Sequence, residues 1–442
     1  MMSAGRSVGV VGVVSLMVVA AAALSMPSAA LAQESEITFT RDVAPILQRS
    51  CQNCHRPGSI APMSLLNYRE VRPWARSIRE KVRIREMPPW YVDKRIGYQR
   101  FLADQSLSDE EIATIVQWVD NGAPRGNPAD MPPPRKFNDE LEWVIEEEPD
   151  LIAEMPEWYT VKANGPDEKI TFPADFLIVE DRWIRAVETK PDPGSFGVVH
   201  HSNTSLYHEE EGWNDFLNEY AVGKGPDIFP EDSGRLLPSG ARILFNVHYH
   251  SLGEEIRSRS RVAFWLYPKG TKPKYEVHTM KVGQNDNIDI PAGAVTRHDG
   301  YFQIPRAAML LSFQPHTHIR GGRQCLEAID PVLRGDDNRP NPARTWMITC
   351  TDINFGWMLT YNYDPDYAPL VPAGTVLHIM TWHDNTRGNR ANPNPDNWAG
   401  WGGRTTDDMN YAWMNMIFLE DDDYERRLAE QEARRRASTN DQ

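Results

Sequence analysis

The spacing of apolar residues changes twice along this chain of 442 residues. From 33 to 125 it has a helical period. Val43, Ile46 and Leu47 share one face of a segment running into Cys51, and Ile112, Ile115, Val116 and Val119 form a second stripe. Ser108, with Glu111 three residues on, reads as a capping box that starts the second helix, and Gly122 and Pro124 stop it. A linker rich in proline and acid, 126–150, includes MPPPR and EEEPD. Beyond it, short runs with strand character alternate with Pro, Gly, Asn and Asp until about 420. That zone is too long for one sandwich and divides into two all-β domains, 151–288 and 289–422. A charged tail, 423–442, is either a solvated helix or disordered. The pattern predicts a multidomain chain: a small all-α domain followed by two all-β sandwich domains, with no long internal repeat.

Residues 1–32 read as a signal peptide, with Arg6, an apolar stretch from Val8 to Leu24 and the small-residue site Ala30-Leu31-Ala32. The expected location is periplasmic or secreted, with a membrane partner only if the signal stays uncleaved. Forty-seven basic residues against 62 acidic give a net charge of −15, which disfavours nucleic acid or an anionic membrane surface as a partner. A small-molecule or redox role remains.

Of four cysteines, two lie in CQNCH. This is the C-x-x-C-H spacing for covalent haem: Cys51 and Cys54 as thioethers to the vinyl groups, His55 on the iron. The helical domain therefore reads as a cytochrome c domain. Met87, in REMPPWY, is the candidate distal ligand and Met63 the runner-up; a Met–His pair suits electron transfer. Cys325 and Cys350 flank a polar insertion between strand-like runs, so a cross-strand disulfide is expected in an oxidising compartment, the alternative being two buried thiols.

Nine of the 12 histidines fall between 200 and 318. In RILFNVHYHS, Ile243, Phe245, Val247 and Tyr249 alternate onto one face, leaving Asn246, His248 and His250 on the other. In AAMLLSFQPHTHIRG the same alternation sets Gln314, His316 and His318 opposite Met309, Leu311, Phe313 and Pro315. VVHHSN adds His200 and His201, which could share a metal only at a strand end or a bulge, because neighbours on an ideal strand point apart. Imidazoles suit copper and zinc, and an added thioether points to copper.

VVHHSN, NVHYH, PHTHIRG and DDMNY follow one another in the order and local sequence of the copper type II, ascorbate-dependent monooxygenases, the family of the peptidylglycine α-hydroxylating and dopamine β-monooxygenases. The resemblance covers roughly 150–420, and the run DNTRGNRANPNPDNWAGWGGRTTDDM is similar to bacterial relatives. It implies two jelly-roll domains, each with one copper, facing each other across an open cleft. His200, His201 and His248 would hold the electron-transfer copper. His316, His318 and Met409 would hold the copper that activates O2, and form the catalytic set. The implied activity is hydroxylation of a C–H bond of a small organic substrate, with electrons from a donor passing through the fused haem.

The peptide enzyme's arginine before the HTH-type pair is replaced by Gln314-Pro315, which argues against a peptide carboxylate as substrate. Trp382, Trp398, Trp401 and Trp413 would suit an apolar or aromatic compound unless they are core residues. His383 is not assigned as a ligand. The competing readings are a periplasmic electron carrier or copper-binding cytochrome fusion without hydroxylase activity, and an interaction module whose histidines are structural.

Overall fold

The computed structural model describes residues 36–57, 59, 61–137, 143–145, 147–330 and 345–440. The proposed signal, 1–32, lies outside them. Among the described residues no helix is long and apolar enough to cross a membrane. A small N-terminal helical region is followed by an extensive, multi-sheet β region, and residues from Ile37 onward form one unit.

The helical region is built as its local signals dictate. Ser108 and Glu111 exchange both capping-box hydrogen bonds at the start of the helix Asp109–Asp120, a device worth about 1 kcal/mol. Val43, Ile46 and Leu47 are all buried, on a π-helical turn, Phe39–Val43, that leads into the helix Ala44–Ser50. The second stripe needs a correction. Its buried residues are Ile115 and Trp118, while Ile112, Val116 and Val119 are partly exposed. Trp118 donates its indole N–H to the Pro124 carbonyl at 2.9 Å, which lets the ring sit fully inside.

Each half of the β region carries a four-stranded antiparallel sheet. In the first half the order is Glu168–Leu177, Arg242–Tyr249, Val199–His208, Trp213–Ala221. In the second it is Val295–Gln303, Val376–Asp384, Gly321–Ile329, Thr345–Asp352. An 11-stranded sheet runs through both halves. Within it the strand Tyr275–Val282 pairs in parallel with the strand Ser233–Leu237, Tyr275 with Ser233 and Glu276 with Gly234, and on its other side in antiparallel with Tyr411–Phe418, and one apolar core spans the two halves.

Three segments read as separate from the β region are bound to it. Residues 90–102 run along the strand Thr345–Asp352: the Asp93 and Tyr98 amides donate to the carbonyls of Cys350 and Ile348 at 2.9 and 2.8 Å. Trp90 packs edge-on to Tyr361, and Asp93 pairs with Arg323 at 2.9 Å. In the linker, Trp143 packs edge-on to Trp265. The charged tail is a helix, Asp421–Asn440, whose buried Gln431 donates to the Ala368 carbonyl at 2.8 Å.

Cys325 and Cys350 stand opposite each other on paired strands and form the expected disulfide. It closes a loop of sequence separation 25 that includes 331–344, outside the described residues. Chain-entropy arguments assign such a link about 3 kcal/mol. The double variant Cys325→Ser, Cys350→Ser should lose about that much stability in a urea titration.

Candidate functional site

The strand Val199–His208 answers the difficulty posed by adjacent histidines. Val199 pairs with Tyr249 and His201 with His248, so two residues advance on one strand while the other advances by one. His200 is the extra residue of a β-bulge, which turns its ring to the side where His201 and His248 lie. The three ring centres are 5.0–5.5 Å apart, and one ligand atom from each falls within 4.8 Å of the others.

The three rings could hold a metal ion. His248 Nε2 faces the Asp167 carboxylate at 3.0 Å, which places its proton there and leaves Nδ1 free. Nδ1 of His200 and of His201 is buried with no hydrogen-bond partner, an expensive arrangement unless something binds there. Burial, then the neighbouring imidazoles, push the pKa of His200 down to about 4 and that of His201 well below the usual value. At neutral pH both rings are uncharged, with lone pairs available.

A different strand carries the next pair. Ser312–His316 ends at His316, so His318 lies in the turn beyond it rather than on the strand face expected for it. The two rings still converge, with centres 5.8 Å apart. His316 stacks on Tyr411 at 4.4 Å, and its buried Nδ1 has no partner. His318 Nδ1 faces the Asp407 carbonyl at 3.3 Å. Burial, then His318, push His316 down to about 3.

Met409 is joined to this pair through Asp408, whose side chain is fully buried. Its carboxylate accepts the backbone N–H of His318 (2.9 Å), Arg320 (3.1 Å) and Met409 (2.9 Å). Burial works against its charge, but hydrogen bonds from His383 and the His318 amide hold its pKa below the usual carboxylate range. His383 Nε2 faces only acceptors, Asp408 Oδ1 at 3.2 Å and the Met409 carbonyl at 3.1 Å, so it carries a proton. Its Nδ1 then accepts from His298 Nδ1 at 3.0 Å, and His298 Nε2 accepts the Asp289 amide at 3.0 Å. The long loop before Met409 is tied by Asn385, which donates to three carbonyls and accepts from Arg320 and Asn392.

The halves meet between the clusters. Lys169, opposite His248 in the sheet, donates to the Gly403 carbonyl at 2.8 Å. Gln314, two residues before His316, hydrogen-bonds buried Glu219 of the first half. Burial pushes the Glu219 carboxyl up to about 7. None of the four late tryptophans is fully buried, and Trp413 stacks on Phe216 at 4.6 Å.

In CQNCH, Cys51 caps the helix Ala44–Ser50, and the His55 amide donates to the Cys51 carbonyl at 2.9 Å. Both thiols are free, and burial raises the pKa of each. That is the opposite of the low-pKa thiolate a redox CxxC pair needs. His55 Nδ1 faces the Met63 carbonyl at 3.2 Å, leaving Nε2 open. Met87 lines a cleft of about 1060 Å³ with Arg49, Leu107 and Ile112, and the CQNCH cysteines and His55 are not among its walls.

No protein-family model and no curated protein matches the chain. Among solved structures, the CBM22-1–CBM22-2 tandem domain of Paenibacillus barcinonensis Xyn10C aligns with 62% of this chain and 99% of its own, at 8% identity and a TM-score of 0.17. The infectious bursal disease virus VP2 subviral particle aligns with 63% of this chain and 73% of its own, at 11% identity and 0.19. Alignments at these scores carry no argument about fold or chemistry.

Two predictions follow from the buried carboxylates. Asp408→Asn should cost about 2–3 kcal/mol in denaturant unfolding, because charge-assisted bonds to three amides and His383 are weakened together. Glu219 has a folded pKa above its unfolded one, so it favours the folded state fully only below about 4.5. That contribution is lost as pH rises through about 7. Glu219→Gln should therefore gain stability over the wild type between pH 5 and 8, by up to on the order of 3 kcal/mol, in Tm measured at both pH values.

Proposed function

We propose that this chain is a copper-dependent monooxygenase with an attached c-type cytochrome, of the copper type II, ascorbate-dependent kind that its motifs resemble. The observation that carries this reading is the bulge at His200, which brings three neutral imidazoles together with two buried Nδ1 atoms unpartnered. The two-sheet construction of each half agrees with two jelly-roll sandwiches.

His200, His201 and His248 would hold one copper, with Asp167 fixing the tautomer of His248. His316, His318 and Met409 would hold the other, and the thioether favours the reduced ion. When bound, the second copper supplies activation of O2. The overall change converts a substrate C–H to C–OH, releases the other oxygen atom as water, and consumes two electrons and two protons. The chain's part is to orient the ligands through Asp408 and His383 and to keep the rings uncharged. Gln314 stands where the peptide enzyme has its arginine, and it is engaged by Glu219, which argues for a substrate other than a peptide carboxylate.

Covalent haem fits the two unpaired thiols and the open Nε2 of His55; each S–H would add across a vinyl group. The Met63 carbonyl serves the Nδ1 side of His55, which favours Met87 over Met63 for the opposite face of the haem, although Met87 would have to reach it from the neighbouring cleft. Haem would pass single electrons from an external donor to the histidine-only copper. Two observations support a short route. Tyr220, raised in pKa by burial and then by Cys54, pairs with Ser202, next to His201. Residues 90–102 bind the helical region to the second half. A periplasmic or secreted location agrees with the disulfide.

The test is metal and haem content of the purified mature protein after copper loading. About two tight coppers per haem are expected, falling to one in the double variant His316→Ala, Met409→Ala and to one in His248→Ala. Absence of tight copper from the wild type would overturn the assignment and leave the histidines structural. Two coppers with O2 uptake that yields no hydroxylated product across a panel of apolar and aromatic substrates would favour the electron carrier.

A further inference from the structure

The loop 353–360 supplies no ligand to either cluster, yet it reaches both. Asn354 organises a tight turn: its side-chain oxygen accepts the Gly356 amide at 3.0 Å, and its carbonyl accepts the Trp357 amide at 2.8 Å. The turn puts Phe355 at its apex. The phenyl ring stacks on His200 with centres 4.9 Å apart and planes at 27°. The same ring meets His318 edge-on at 6.2 Å and 78°. One side chain therefore touches a member of each cluster, and the ring centres of His200 and His318 can be no farther apart than those two distances together.

The loop is braced from three directions. Tyr91, in the segment that leaves the helical region, accepts from Asn354 Nδ2 on its hydroxyl at 3.2 Å and from the Asp352 amide on its carbonyl at 3.1 Å. In the second half, Thr360 donates to Gln314 at 2.8 Å. In the first half, the loop lies on Gly223, whose φ is +90° and where an added Cβ would stand 2.9 Å from Leu359 and 3.2 Å from Trp357. A half-buried phenyl ring at an apex gains little for the core. It has no polar atom to satisfy, and it displaces water from whatever space it fills.

We propose that Phe355 is a positioning residue that sets the separation of the two metal sites and fills part of the space between them with protein, with Tyr91 as its brace. This rests on the two-copper reading. The open cleft implied by the family resemblance would leave that space to water; here an aromatic ring stands in it. With both metals bound, an electron exchanged between them would have a protein path across the ring. Because the brace comes from the segment joined to the cytochrome, movement of that segment reaches the spacing of the sites directly.

The test uses the full chain loaded with two Cu(II) ions and read by electron paramagnetic resonance, with copper content measured on each sample. The wild type should show a resolved dipolar splitting, which depends steeply on separation. Phe355→Ala should lose the resolved splitting while keeping both coppers, and Phe355→Tyr, which retains the ring, should restore it. Tyr91→Phe removes only the bracing hydroxyl and should broaden the splitting by less than Phe355→Ala. Two coppers with unaltered splitting in Phe355→Ala would overturn this inference alone. A wild type without tight copper would overturn the two-copper reading and this inference with it.

Discussion

The geometry of both clusters depends on a very short seam. Tyr275 beside Ser233 and Glu276 beside Gly234 are the parallel pairs that turn two sets of strands into one continuous sheet. Gly234 is needed there for space: a Cβ would meet the Ile184 carbonyl oxygen at 2.9 Å and Pro273 at 3.0 Å. The core is also continuous across the two halves, which form one compact unit. The cross-contacts of Lys169, Gln314 and Phe355 are possible because the sheet has already fixed the faces they bridge.

Within that frame, charge is managed by exclusion and by one exception. The imidazoles of both clusters are kept neutral by removing them from water, the state in which nitrogen can bind a metal. Asp408 is the exception, a fully buried anion. It is tolerated because three amides and a histidine converge on it. The carboxylate thus ties the backbone at Met409 to that of His318 and Arg320. Arg320, immediately after the HTH motif, fastens the same loop through Asn385 and the Thr406 carbonyl.

How much of this was legible in the sequence depended on how local the cause was. The capping box at Ser108 and the alternation around His248 are written within a few residues of where they act, and the structure carries both, as it does the expected Cys325–Cys350 disulfide. Trp118 was missed because the stripe was read from aliphatic positions alone. The requirement for a bulge near His200 followed from strand geometry, but its presence did not, because a bulge is set by the register of a partner strand more than 40 residues away. His318 was put on a strand that ends two residues earlier. The roles of Tyr91, Asp408 and Phe355 had no local signature at all. A tyrosine in a linking segment, an acidic pair and a loop phenylalanine look ordinary until residues distant in sequence are brought beside them.

The segment 90–102 has a further consequence. The strand Thr345–Asp352 is the last of its sheet, and its outer row of amides and carbonyls is engaged by residues that lie about 250 positions earlier in the chain. A shortened protein beginning after the linker would bare that row, inviting other chains to pair with it. The helical region therefore serves the β region as a cover for its open edge, quite apart from any electron it carries. The edge of that sheet is completed only when residues 90–102 and 345–352 are both present.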